Sequence, residues 1–170
     1  GGLCREIGWG SSDEMKLDGK VALVTGAGTG VGAATASLLA GKGCRVAVNY
    51  RASEKDAGRV VDSIAKAGGE AFAFQADVAE DAEVRALVKA TIDRFGRLDV
   101  LVNNAGTTEF IPFDNLDAVT DDVWQRLYQV NVVGAFHCVR AGVPIMRETC
   151  GKDGAEIVNV GSIAGLKASG

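Results

Sequence analysis

No run in this 170-residue sequence approaches the roughly 20 consecutive apolar residues that a helix needs to cross a bilayer, so a membrane partner is not expected. Positive charge is not in excess either: 18 lysines and arginines face 22 aspartates and glutamates, a formal charge of -4. That balance gives no general attraction to nucleic acid or an anionic surface, though it leaves room for a small basic pocket. Cys4, Cys44, Cys138 and Cys150 show no Cys-x-x-Cys or other metal-ligand spacing. They read as reduced, structural thiols in a cytoplasmic setting. The single histidine, His137, stands in an apolar helical stretch with no ligand near it in sequence, and reads as a packing or interface residue rather than a metal ligand. No repeat of 20–50 residues and no low-complexity linker divides the chain. Residues 1–14 lack the apolar core of a signal peptide and the arginines of a transit peptide. They are expected to be a disordered leader or a non-native extension, with the structured part running from Met15 to Gly170.

What is present is alternation. Short apolar runs, Val21-Ala-Leu-Val24, Arg45-Val-Ala-Val-Asn49, Ala71-Phe-Ala-Phe74, Leu98-Asp-Val-Leu-Val102 and Glu156-Ile-Val-Asn-Val160, have the length and composition of buried strands. Helical stretches near 30–42, 53–67, 79–95 and 120–149 separate them. The last should be two helices or one bent helix, punctuated by Gly134 and Pro144. Such alternation predicts a doubly wound α/β domain with a parallel sheet in the order 3-2-1-4-5. Its ligand crevice should open at the carboxyl ends of strands 1 and 4, where the order reverses.

Two glycine-containing segments fall at that crevice. Thr25-Gly-Ala-Gly-Thr-Gly-Val-Gly32 follows the first strand and opens a helix, the context in which such a motif binds a dinucleotide. Gly26 would permit the tight turn, Gly30 the approach of backbone to pyrophosphate, and Gly32 close packing of the helix on the sheet. Thr25, Gly28, Thr29 and Val31 complete this candidate site, and the helix start offers N–H donors and a favourable dipole. A methyltransferase could use a similar turn. The second strand ends Val48-Asn49-Tyr50-Arg51, with no carboxylate to hold ribose hydroxyls. Arg51, with Tyr50 beside it and help from Ser53 and Thr29, instead suits a 2′-phosphate and favours NADP(H) over NAD(H). A solvated surface arginine is the plainer alternative.

Together with Asn103-Asn-Ala-Gly106, Asn131 and Ser162, these residues resemble the short-chain dehydrogenase/reductase family, a Rossmann-type fold, and they disfavour the methyltransferase. The resemblance runs from about Met15 to Gly170 and is expected to cover the first two-thirds of the family fold, with its C-terminal part missing. It implies that Asn104, Ala105 and Gly106 line the cofactor and steady the sheet. Asp77 would accept the adenine amino group while Val78 borders the ring, although Asp77-Val-Ala-Glu80 also has the pattern of a helix capping box. Asn131, a polar residue among apolar helical neighbours, would hold a helix irregularity and a water of the proton relay. Ser162 would polarise the substrate carbonyl.

The implied chemistry is hydride transfer between NADP(H) and a small-molecule carbonyl or secondary alcohol. Val46-Ala-Val-Asn-Tyr-Arg51 resembles 3-oxoacyl-[acyl-carrier-protein] reductase-like members, and the family implies a homo-oligomer, a dimer or tetramer, when full length. The family's general acid is a tyrosine in Tyr-x-x-x-Lys. Neither Tyr50 nor Tyr128 qualifies, because Glu54 and Val132 stand four positions on. The 170 residues alone are therefore expected to be inactive, and a dinucleotide-binding fragment or sensor is the alternative function.

Overall fold

The computed structural model describes residues 17–112, 114–151 and 154–163. The expected leader, together with Cys4 and Met15, lies outside them. Each apolar run becomes a strand: β1 (Val21–Val24), β2 (Arg45–Tyr50), β3 (Glu70–Gln75), β4 (Val100–Asn103) and β5 (Glu156–Asn159). All pairings are parallel and the order is β3-β2-β1-β4-β5, as the alternation predicts. Between them run α1 (Gly30–Gly41), α2 (Glu54–Lys66), α3 (Asp81–Phe95), α4 (Asp121–Tyr128) and α5 (Ala135–Cys150).

The two-residue period of the strands sorts the core into two layers. Ala22, Val24, Val46, Val48, Val100 and Val102 pack with Ala36 and Ala40 of α1 and Ala57 and Ile64 of α2. Their neighbours Leu23, Ala47 and Leu101 point the other way, against Val84, Leu87 and Val88 of α3 and Cys138 and Met146 of α5. Central strands β1 and β4 are therefore wholly buried, which explains their lack of polar alternation. Cys44, Cys138 and Cys150 are buried free thiols, and burial pushes the Cys138 thiol up to about 12. His137 is a packing residue, its Nδ1 2.9 Å from the carbonyl of Val78. Among the described residues no cluster of side chains could hold a metal ion, and no helix is long and apolar enough to cross a membrane.

The division of 120–149 into two helices holds at Gly134, while two other local expectations need correction. The stretch 120–149 is interrupted at a π-helical turn, Gln129–Gly134, whose last residue is Gly134. Pro144, expected to punctuate it too, sits inside α5 without ending it. A proline forfeits one backbone hydrogen bond, and Gly142 and Met146 on either side anchor the helix to the core, Gly142 against Leu98 and Leu101. The capping box does not form at Asp77–Glu80, because α3 starts only at Asp81 with Glu80 in the cap position. Asp77 instead makes a turn of its own: its Oδ1 accepts the N–H of Ala79 at 3.0 Å, and its own N–H donates to Glu83 Oε2 at 2.7 Å.

At the amino end of the sheet, Asp99 organises a second polar centre. Its Oδ2 accepts the N–H of Val21 at 2.9 Å and Arg97 Nε at 2.8 Å, while Oδ1 accepts Arg97 Nη2 at 2.5 Å and lies 3.3 Å from Lys20 Nζ. Its backbone joins β1 and β5, through Asp99 N–H to Val21 O and Glu156 N–H to Asp99 O.

Candidate functional site

The loops after β1 and β4 are fastened to one another before any ligand is considered. Thr25 Oγ1 accepts the N–H groups of Asn104 and Ala105, both at 3.0 Å, and donates to Val102 O at 3.3 Å. In return Asn104 Nδ2 donates to the carbonyls of Thr25 at 2.9 Å and Gly26 at 3.2 Å. Gly26 turns with φ +61°, in the left-handed region that favours glycine. Gly32 lets the start of α1 approach closely at the ends of β1 and β4. A Cβ there would lie 2.5 Å from Asn104 Nδ2 and 2.5 Å from Gly26 O, so its bareness lets the turn close on the β4 loop.

Asn49 ties in the third strand. Its Oδ1 accepts the N–H of Gly26 at 3.1 Å, its backbone carbonyl accepts Ala27 N–H at 2.7 Å, and its Nδ2 donates to Ala76 O at 3.0 Å. This buried side chain thus joins the ends of β1, β2 and β3. In the sequence, position 49 stands out only for the carboxylate it lacks. The available signal was an amide at the end of an apolar strand, a costly residue to bury unless it bridges something.

These loops frame an open cleft of about 390 Å³ at the carboxyl ends of the strands. Of the expected cofactor residues, Gly26, Gly28, Thr29, Gly30, Val31, Tyr50, Arg51, Ser53, Asp77, Val78, Asn104, Ala105 and Gly106 line it. Thr25 and Gly32 stand behind the wall and shape it. Arg126 and Thr107, which no local sequence pattern singles out, also line the cleft. Asp77 Oδ2 takes a hydrogen bond from Arg126 Nη2 at 3.1 Å and lies 3.7 Å from Arg51 Nη1. Burial pushes the Asp77 carboxyl up, but the Ala79 N–H and the Arg126 and Arg51 guanidiniums outweigh it and hold its pKa lowered.

Asn131 sits in the π-helical turn, as the expected helix irregularity requires, but it is exposed rather than buried among apolar neighbours. Its amide grips the Thr107 backbone in both directions: Oδ1 accepts the N–H at 2.8 Å and Nδ2 donates to the carbonyl at 2.9 Å. Asn103 Nδ2 donates to Asn159 Oδ1 at 2.9 Å, and Val160 N–H to Asn103 O at 2.9 Å, bonding β5 to β4. Ser162 follows β5 at the same end of the sheet and is exposed, outside the cleft lining. The site therefore brings the two glycine segments, Arg51 and Asp77 together, with Asn131 one loop away.

The donor set suits a dinucleotide. The start of α1 and the small residues of the turn offer backbone to an anion, Arg51 a cation, and Asp77 and Val78 an acceptor beside an apolar wall. A bound nicotinamide would supply hydride chemistry, while these residues bind and orient.

The profile of the short chain dehydrogenase family matches residues 20–170. A 3-oxoacyl-[acyl-carrier-protein] reductase from Synechocystis sp. is 44% identical over 150 residues, 88% of this chain and 58% of that protein. A short chain dehydrogenase from Burkholderia cenocepacia, solved in complex with NADP, superimposes with a TM-score of 0.82 at 37% identity, over 91% of this chain and 60% of that one. A 7α-hydroxysteroid dehydrogenase, solved with NADH and 7-oxo glycochenodeoxycholic acid, gives 0.82 at 35% identity, over 93% and 59%. The chain spans little more than half the length of curated relatives such as the Synechocystis reductase, an oxidoreductase of Methylorubrum extorquens and a probable tetrahydroxynaphthalene reductase of Zymoseptoria tritici. With motifs, strand order and sequence in agreement, the chain belongs to the short-chain dehydrogenase family.

Proposed function

We propose that the chain carries the NADP(H)-binding part of an oxidoreductase that transfers a hydride between the nicotinamide and a carbonyl or secondary alcohol, with a 3-oxoacyl-type substrate. The observation that carries this reading is Arg51, standing at the cleft rim just past β2, where an NAD site would place a carboxylate. Solved relatives hold NADP in one case and NADH in another, so the fold alone does not choose and the residues must. Asn131 and Ser162 are assigned to the reacting end, Asn131 positioning the β4 loop through Thr107 and Ser162 donating to the carbonyl oxygen.

Calorimetric titration tests the cofactor assignment. NADPH should bind more tightly than NADH, and Arg51→Ala should weaken NADPH roughly tenfold or more, since hydrogen bonds to a charged group are worth about 1.5–3 kcal/mol. NADH affinity should hardly move. Equal losses for both nucleotides would count against a 2′-phosphate contact.

Self-association belongs to the same reading. Trp124, Tyr128, Val132 and Phe136 recur every four residues along α4, the π turn and α5, and each is at least half exposed. This stripe is the proposed face against a second copy. Sedimentation should find the protein dimeric or larger, and Trp124→Glu with Phe136→Glu should drive it to monomer; an unchanged sedimentation coefficient would place the interface elsewhere.

A further inference from the structure

Two guanidiniums pair with one carboxylate at the rim of the cleft, and only one of them hydrogen-bonds to it. Arg126 reaches from α4 to hydrogen-bond Asp77 Oδ2 at 3.1 Å, whereas Arg51 stops 3.7 Å from the same atom. The other Asp77 oxygen is taken by the N–H of Ala79, and the nearby Glu83 carboxylate is turned to the N–H of Asp77. Arg51 is the more exposed of the two arginines and makes no side-chain hydrogen bond among the described residues.

We infer that Arg126 is a specificity-determining positioning residue: by occupying Asp77 it keeps Arg51 available for the 2′-phosphate of NADP(H). The inference rests on the dinucleotide reading proposed above. Without Arg126, the cation left paired with Asp77 among the described residues would be Arg51, and the long, exposed arginine side chain needs little movement to close 3.7 Å to a hydrogen bond. A 2′-phosphate would then have to break that pair, and would meet a cleft carrying one less positive charge. NADH, which has no 2′-phosphate, makes no demand on Arg51. Arg126 therefore acts on the choice between the nucleotides more than on binding as such.

A double-variant cycle tests this on the whole chain, with NADPH and NADH titrated calorimetrically against wild type, Arg126→Met and Asp77→Asn/Arg126→Met. In R126M the ratio of NADPH to NADH affinity should fall roughly fivefold or more, a change of about 1 kcal/mol. In the double variant the competitor for Arg51 has lost its charge, so the ratio should recover to within about twofold of wild type, even if both affinities drop. A purely structural role for Arg126 predicts no recovery. Wild-type protein that binds neither nucleotide overturns the dinucleotide reading itself. Wild-type binding with an unchanged ratio in R126M, or a ratio that falls and stays low in the double variant, overturns the role of Arg126 alone. Circular dichroism melts identify any variant that has lost its fold, and Arg126→Gln then replaces methionine in the same cycle.

Discussion

Replacing Asp99 by alanine should destabilise the protein by about 1–3 kcal/mol, the cost of leaving the buried Val21 N–H without its acceptor. The side chain is 4% exposed, and its two oxygens serve Val21 N–H, Arg97 and Lys20 at the amino end of the sheet. Alanine would leave the Val21 N–H unsatisfied within the central strand and the Arg97 charge without its fork-shaped partner. Asparagine keeps an acceptor for Val21 and should cost less. The effect should also depend on pH. Desolvation pushes the Asp99 carboxyl up, but hydrogen bonds from Arg97 and Val21 and the Arg97 charge outweigh it and leave its folded pKa lowered. As pH falls, the unfolded chain therefore takes up this proton first, near about 3.9. The Asp99 contribution is complete above that value and is lost as pH drops through the folded pKa. Urea midpoints followed by circular dichroism should show a constant gap between wild type and D99A from neutral pH to about 5, narrowing below about 4. A gap under about 1 kcal/mol at neutral pH would mean the cluster is solvated enough to contribute like a surface pair.

Asp99 also marks where sequence reading stops. The sheet was legible because burial on both faces leaves a direct trace: Val46, Ala47 and Val48 are all apolar although they point into different layers. The glycine turn was legible because its conformational demand restricts residue type at fixed spacing. Interactions that link distant segments leave no such trace. Arg126 and Asp77 are 49 positions apart, and Asp99 and Val21 are 78 apart. Nothing local distinguishes these charges from solvated ones until the topology brings the partners together. Asn49 failed for a related reason: an amide at a strand end is ambiguous until the ends of three strands are known to meet there. Local patterns also misled at Pro144, where tertiary anchoring on both sides overrode a helix-breaking residue, and at Asp77, whose side chain serves its own turn and two arginines rather than the helix start. In each case the missing information was contact, not composition.

Gly32→Ala should abolish measurable dinucleotide binding and also destabilise the fold, by about 1–3 kcal/mol, as overpacking does. The added methyl would lie 2.5 Å from both Asn104 Nδ2 and Gly26 O and 3.0 Å from Ala27 Cα. The last two are backbone atoms and cannot swing aside. Relief would require Asn104 to give up its bonds to Thr25 and Gly26, which unfastens the β4 loop from the turn. Gly30→Ala separates that effect from blockage of the cleft. Gly30 lines the cleft with φ +54°, and a Cβ there meets no heavy atom within 4 Å among the described residues. Its substitution should cost only the left-handed backbone strain, about 1–2 kcal/mol, yet it places a methyl beside the anion-binding start of α1. The two variants should thus lose NADPH binding alike in calorimetry, while only G32A loosens the β4 loop, seen as faster amide exchange at Asn104 and Ala105. Retained binding in G30A would mean that the phosphates do not approach the turn at this residue. Retained protection in G32A would mean that Thr25 Oγ1, through its two accepted N–H groups, suffices to hold the loops together without the Asn104 side chain.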